Sequence, residues 1–141
     1  MPGRLFIDTN VPIYATGREH SYKEVCLDIL FKIAKGDIDA CTDAEVHQEL
    51  YYYYWVRGLA DKGLEVSAQF LASVPDVLPI TRVDLERALE LGKSYPYMLP
   101  RDWIHLATML NHGISEIVTA DKHFDNLGGI VRLDPKEWSR I

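Results

Sequence analysis

Four acidic residues, spread over most of the chain, stand where their carboxylates could act together: Asp8, Glu49, Asp102 and Asp121. Asp8 directly follows an apolar run, and Asp121 comes two residues after another. Asp102 lies in the first turn of a predicted helix, and Glu49 lies two turns into a second one. Carboxylate oxygens bind hard cations such as Mg²⁺ and Mn²⁺, or share protons when crowded. These residues are therefore candidates for a metal site or for a cluster of carboxyl groups with raised pKa values.

The elements that must position these side chains alternate along the chain. We predict strands at 4–7, 38–42, 77–81, 116–119 and 130–133. The proline in the third strand predicts that this strand lies at an edge of the sheet. We predict helices from residue 11, over 21–36, from 42 to about 60, over 64–74, 83–93 and 101–112, and a short one from 134. A Ser-x-x-Glu capping box at 21–24 and an Asp-Lys-Gly break at 61–63 set two of these boundaries.

This alternation predicts an α/β fold, a three-layer α/β/α sandwich around a central, mostly parallel sheet. We assign one domain over residues 1–141, since no linker, repeat or low-complexity tract interrupts the pattern. Ligands of such sheets bind at the carboxyl ends of the strands. Asp8 and Asp121 should therefore meet at one edge if their strands are neighbours.

Each of these acids also has a structural interpretation, such as bonding a turn, complementing a helix dipole or capping a helix. With 21 acidic residues in 141, finding four is uninformative, and only their placement at the strand ends carries weight. Two unit charges about 4 Å apart repel by about 4 kcal/mol at an effective dielectric constant of 20. A converged cluster therefore needs shared protons or a divalent cation.

Composition limits the function classes. The formal net charge of −6 disfavours a polyanionic partner unless something local reverses the sign, which a bound dication does. No apolar run approaches the roughly 20 residues of a membrane-spanning helix, so we expect a cytoplasmic protein without membrane association. The two cysteines, Cys26 and Cys41, lack metal-ligand spacing, and we expect buried, reduced thiols. There is no serine elbow or Cys–His signature of a nucleophilic enzyme.

Four segments resemble the motifs of PIN-domain ribonucleases, including the VapC-type toxins: Phe-Ile-Asp-Thr-Asn-Val at 6–11, Gln-Glu-Leu at 48–50, Arg-Asp-Trp-Ile-His-Leu-Ala at 101–107 and Val-Thr-Ala-Asp-Lys-His-Phe at 118–124. The resemblance covers nearly the whole chain. It implies an α/β/α sandwich and a metal-dependent endoribonuclease that hydrolyses RNA phosphodiester bonds. It further implies a toxin of a type II toxin–antitoxin pair, with a cognate antitoxin and a homodimer.

Carried over residue by residue, the resemblance makes Asp8, Glu49, Asp102 and Asp121 the catalytic residues and the ligands of Mg²⁺ or Mn²⁺. Thr119 matches the family's strand-end hydroxyl, and Asp125 lies where some members have a further acid. Asn10 could orient a water or a substrate oxygen, but we favour a role in capping the first helix. Glu45 rivals Glu49, but we favour a capping role for it.

Other features keep alternatives open. The run Tyr-Tyr-Tyr-Tyr-Trp at 51–55 points all the way round a helix, so its rings could pack, stack on bases or form a protein interface. Of the last two roles, the resemblance favours an interface with a second copy or with an antitoxin. His105, one turn after Asp102, is either a zinc ligand or, as we prefer, a buried hydrogen-bonded side chain. The alternatives for the whole chain are a catalytically silent PIN-like RNA- or protein-binding module and a housekeeping RNA-processing nuclease. A phosphoryl-accepting pocket is weaker, since it has no place for Glu49 and Asp102.

Overall fold

The computed structural model describes residues 3–138, whose centre is a five-stranded parallel sheet with the strand order β3-β2-β1-β4-β5. The strands are β1 (Leu5–Ile7), β2 (Ala40–Asp43), β3 (Val77–Leu78), β4 (Glu116–Val118) and β5 (Val131–Leu133). The helices are α1 (Asn10–Thr16), α2 (Lys23–Ala34), α3 (Ala44–Val56), α4 (Ala60–Ser73), α5 (Arg82–Ser94) and α6 (Pro100–Asn111). A 3₁₀ turn, Lys122–Phe124, follows β4.

The strand order explains how helices cover both faces of the sheet. The chain moves from β1 outwards to β3 and then crosses to β4 and β5 on the other side. Parallel crossovers are right-handed, so helices that connect strands in one direction across the sheet lie on one face, and helices that connect strands in the opposite direction lie on the other. The first group is α1 to α4, and the second is α5 and α6. The predicted α/β sandwich with a parallel sheet is confirmed, whereas the single domain over 1–141 stays a prediction.

The central strand β1 is buried along its whole length. Phe6 and Ile7 have no exposed surface, and Ile7 pairs with Val118 of β4. A strand covered on both faces reads as a continuous apolar run, which is what residues 5–7 show. This pairing also brings the carboxyl ends of β1 and β4 side by side.

The boundary between α3 and α4 differs from the prediction. The helix predicted to reach residue 60 ends at Val56, and α4 begins at Ala60, so the predicted break at 61–63 lies inside a helix. Gly58 supplies the real break, with a φ of +72° that closes α3. Gly63 instead permits close packing, because a Cβ there would lie 2.9 Å from Cβ of Tyr54.

Smaller differences concern the ends of elements. The capping box predicted at 21–24 is wrong, because α2 begins at Lys23 and its N-cap, Tyr22, makes no side-chain capping bond. β3 pairs only with β2, which confirms the predicted edge position. Of the predicted final helix, residues 135–137 form a turn, and 139–141 lie outside the described residues.

Two expectations from composition can also be compared with the structure. Cys26 and Cys41 are buried free thiols, as predicted. Within residues 3–138, no helix has the length and hydropathy needed to cross a bilayer.

Candidate active site

Asp8 lies at the carboxyl end of β1, in the turn that leads into α1. Its backbone N–H donates to the carbonyl oxygen of Val118, 3.2 Å away, which ties the turn to β4. Its Oδ1 accepts a 2.8 Å hydrogen bond from the backbone N–H of Thr9. The side chain is almost fully buried, and this burial raises its pKa despite the hydrogen bonds it accepts.

Thr119 and Asn10 join the ends of β1 and β4. The Thr119 hydroxyl donates to Oδ2 of Asp8 at 2.7 Å and accepts from the backbone N–H of Asp121 at 3.0 Å. The amide of Asn10 donates to Thr119 Oγ1 at 2.8 Å and accepts from the Ala120 N–H at 3.2 Å. The capping alternative for Asn10 is therefore wrong: the N-cap of α1 is Thr9, and the Asn10 side chain bridges two strand ends.

Asp102 enters the same region from the start of α6, where Pro100 occupies the first helical turn. Its side chain is 4% exposed, and its Oδ2 has no hydrogen-bond partner. Burial, reinforced by the nearby charge of Asp8, raises the pKa of Asp102 to about 7. A buried carboxylate oxygen without a partner is costly, which indicates that this oxygen is placed for a ligand.

Glu49 and Asp121 complete the acidic cluster. Glu49, on α3, pairs through Oε2 with Nε of Arg101 at 3.1 Å and through Oε1 with His105. Asp121 is half-buried, and its Oδ1 accepts from the backbone N–H of His123 at 2.9 Å, which caps the 3₁₀ turn. The capping role and a metal-binding role are compatible for Asp121, because its second carboxylate oxygen is not engaged in the cap.

His105 lies fully buried between two acids. Its Nδ1 is 2.8 Å from Oδ2 of Asp43, and its Nε2 contacts Glu49. Burial alone would lower the pKa of His105, but Asp43 and Glu49 outweigh it and raise that pKa well above the usual value. Carboxylates engage both ring nitrogens of this buried side chain, which confirms the buried, hydrogen-bonded histidine. One ring nitrogen also lies within 4.8 Å of a carboxylate oxygen of Asp8 and of Glu49, so the geometry does not contradict the zinc alternative, which stays a prediction.

The sequence analysis missed the role of Asp43. This fully buried residue caps α3 by accepting from the N–H of Val46 at 2.9 Å, and its other oxygen binds His105. A sequence signal for this role was available. Asp43 is the last residue of β2, just as Asp8 directly follows β1, so both acids lie at the carboxyl end of a strand. The proposed cap Glu45 is therefore wrong: it is half-buried beside the cluster, with its pKa raised by burial.

All four predicted acids line one cavity of about 330 Å³: Asp8, Glu49, Asp102 and Asp121. Aromatic, basic and apolar residues at the end of α3 and around the start of α6 form its walls, namely Tyr52, Tyr53, Arg57, Leu99 and Arg101. Asp125 is not part of this lining. It pairs with Nε of Arg132 at 2.7 Å, outside the cavity.

These residues fit a hard divalent cation. The cavity brings together four oxygen donors, one of which, Oδ2 of Asp102, has no partner in the described part of the chain. Among the side chains lining it, only Arg57 and Arg101 carry positive charge, and Arg101 is paired with Glu49. Carboxylate-rich, oxygen-only sites suit Mg²⁺ and Mn²⁺ rather than softer metals.

Comparison with known proteins places the chain in a family. Residues 5–130 match the PIN domain model. A VapC ribonuclease of Mycobacterium bovis, Mb1869c, is 32% identical over 129 residues, which cover 92% of this chain and 98% of the relative. The chain therefore belongs to the PIN-domain family, and its curated relatives are VapC ribonucleases, which confirms the resemblance drawn from the four motifs.

Solved structures share the fold at lower identity. The structure of VapBC2 from Rickettsia felis bound to a promoter DNA fragment matches with a TM-score of 0.74 at 14% identity, covering 93% of this chain and 98% of that one. A toxin–antitoxin complex from Klebsiella pneumoniae matches with a TM-score of 0.64 at 18% identity, covering 94% and 98%. These likenesses support the fold, and the family membership rests on the sequence matches.

Proposed function

We propose that this protein is an endoribonuclease that uses Mg²⁺ or Mn²⁺ to hydrolyse RNA phosphodiester bonds. The observation that carries the proposal is the convergence of four carboxylates from the ends of β1 and β4 and from α3 and α6 in one cavity, with a buried Asp102 oxygen that no group within residues 3–138 satisfies. The names of the relatives, VapC ribonucleases, support the same reaction.

Asp8, Glu49, Asp102 and Asp121 would hold the cation. A bound dication lowers the pKa of a coordinated water and polarises a phosphoryl oxygen, so hydrolysis needs no protein nucleophile. The side chains around the acids keep their oxygens in place. Thr119 orients Asp8 through its 2.7 Å hydrogen bond, and Asn10 holds Thr119.

Glu49 is oriented by two cationic groups. His105 and Arg101 each bind one of its oxygens, and Asp43 holds the imidazolium from behind. These contacts fix the rotamer of Glu49 and offset part of the charge of the cluster before any cation arrives. We assign His105 and Asp43 as positioning residues that act through Glu49.

We further propose that the protein is the toxin of a type II toxin–antitoxin pair, acts in the cytoplasm and forms a homodimer. The similarity to a protein of a solved toxin–antitoxin complex supports an antitoxin partner. The homodimer is supported by an apolar groove of about 710 Å³ between α5 and α6, lined by residues that include Leu85, Leu89 and Trp103. Leu85 and Leu89 are 49% and 69% exposed in the single chain, and neighbouring exposed apolar side chains of this kind mark interaction surfaces.

The test is RNA cleavage by the purified protein with Mg²⁺, with Mn²⁺ and with EDTA. We expect cleavage that depends on the cation and is lost in Asp8→Asn. Asp125→Asn is the matched control, because it removes a carboxylate that is adjacent in sequence to the last motif but lies outside the cavity. Equal cleavage by the parent and Asp8→Asn, with contaminating nuclease excluded, would refute the proposal and favour a silent binding module.

A further inference from the structure

The aromatic run of α3 is only partly used for packing. Tyr54 is buried, and the hydroxyl of Tyr51 accepts a 3.0 Å hydrogen bond from Ser67 on α4. Tyr52 and Trp55, however, are 54% and 65% exposed. Exposed aromatic surface forgoes the stabilisation of burial, so two such rings side by side call for an explanation other than the core.

Tyr52 connects the acidic cavity to a second hollow. It lines the cavity that holds Asp8 and Glu49, and it also lines a neighbouring hollow of about 410 Å³ that contains Trp55. The Tyr52 and Trp55 ring centroids lie 6.2 Å apart at an interplanar angle of 31°. An aromatic surface therefore begins at the carboxylates and continues away from them along α3.

Arg57 adds a positive charge to this surface. Its guanidinium lies 3.5 Å from the centroid of the Tyr53 ring, and its Nη1 donates to the carbonyl oxygen of Tyr53 at 2.8 Å. Within residues 3–138, no carboxylate forms an ion pair with it, although it lines the acidic cavity. An unpaired, stacked guanidinium suits an RNA phosphate.

We propose that Tyr52 and Trp55 form a stacking platform for unpaired bases beside the scissile phosphate, with Arg57 binding the RNA backbone. This inference rests on the proposed function. A phosphate held at the carboxylates places its neighbouring bases near the cavity wall, and Tyr52 is part of that wall. Bases in a duplex are stacked on each other and cannot reach such a ring, whereas unpaired bases can.

The experiment measures binding of a short, 5′-labelled single-stranded RNA by fluorescence anisotropy in Ca²⁺, which supplies a divalent cation to the carboxylates, and a gel after each titration checks that the RNA is intact. We expect Tyr52→Ala and Trp55→Ala each to weaken binding by about 5- to 150-fold, the range given by stacking of one base on one ring. Tyr52→Phe and Trp55→Phe should restore most of the affinity, because they keep a stacking face. Phe31→Ala is the matched control, since Phe31 is 60% exposed on α2 and lines neither hollow.

Two further arms separate stacking from other roles. An oligonucleotide of the same length without bases should bind equally to the parent and to both alanine variants. The rings contribute to affinity only through the bases, so removing the bases should abolish the effect of removing a ring. Arg57→Gln should weaken binding to both oligonucleotides alike. It should also reduce the slope of the logarithm of the binding constant against the logarithm of the salt concentration by about 1.

The platform is refuted if the parent binds the two oligonucleotides equally, or if both alanine variants bind the RNA as the parent does. In the latter case the exposed rings serve a protein partner or no ligand. A parent that binds RNA through its bases but cleaves none with Mg²⁺ or Mn²⁺ would refute the proposed function and leave the platform standing. The two failures are therefore distinguishable.

Discussion

Asp102→Asn is expected to stabilise the metal-free protein at alkaline pH, although it removes a candidate metal ligand. The pKa of Asp102 is raised from 3.8 to about 7 because the carboxyl group is buried beside other acids. Between these two values the folded state binds more protons at this site than the unfolded state does. The free energy of unfolding of the parent therefore falls as the pH rises through this window.

The magnitude follows from the shift. One pKa unit corresponds to about 1.4 kcal/mol, so the full rise of the pKa corresponds to about 4 kcal/mol above pH 7. Between pH 5 and pH 8 the parent should lose about 3 kcal/mol that the asparagine variant keeps. The amide has its own cost of about 1–3 kcal/mol, since one of its polar atoms replaces an oxygen without a partner. That cost does not depend on pH and cancels when the two pH values are compared.

The assay is thermal or urea unfolding of both proteins in EDTA at pH 5 and pH 8. The Tm difference, variant minus parent, should rise by about 5–10 °C between the two pH values. Adding Mn²⁺ at pH 8 should then stabilise the parent by mass action and leave the variant almost unchanged. Asp125→Asn is the control: Arg132 lowers the pKa of Asp125, so that residue is ionised at both pH values. A Tm difference that stays constant or shrinks as the pH rises would show that Asp102 carries no raised pKa.

Three further outcomes are expected. Mn²⁺ binding near pH 7 should release protons, because carboxyl groups with raised pKa values, such as Asp8 and Asp102, must lose their protons to bind the cation. Calorimetry in two buffers of different ionisation enthalpy measures this release. A binding heat independent of buffer would contradict it. His105→Leu should lower the free energy of unfolding by about 3–5 kcal/mol, because it leaves the charges of Asp43 and Glu49 without their shared cation. The raised pKa of His105 means that this contribution is complete below about 6.5 and declines as the pH rises through the raised value, so urea titrations of parent and variant should converge at high pH. Burial raises the pKa of the Cys26 and Cys41 thiols to about 12, so both should resist thiol reagents at pH 8 until the protein unfolds, and rapid labelling of the native state would argue against this burial.

The parts of the fold that were predictable depend on local patterns. A continuous apolar run followed by Asp8 specifies a buried strand and its end, and the parallel-sheet rule then places Asp121 at the same edge. The break between α3 and α4 was misplaced because Gly58 and Gly63 look alike in sequence. Only the tertiary structure shows that one adopts a positive φ and the other packs against Tyr54.

The parts of the site that were missed depend on contacts between distant residues. His105 and Asp43 are 62 positions apart, and no periodicity reports that one bonds the other. A helix cap was favoured for Asn10 because asparagine is common there, whereas a hydroxyl 109 residues away accepts its hydrogen bond. For Asn10, a tertiary hydrogen bond overrides the local capping propensity.

The central claim is that the carboxylates of this cavity jointly bind a divalent cation. Its most direct test is an electron paramagnetic resonance titration of Mn²⁺ into the metal-free parent at pH 8, repeated with Asp8→Asn and Asp125→Asn. The account predicts saturable binding by the parent and by Asp125→Asn, and a loss of most of that binding in Asp8→Asn. Absence of saturable binding by the parent, or identical titrations of all three proteins, would contradict it.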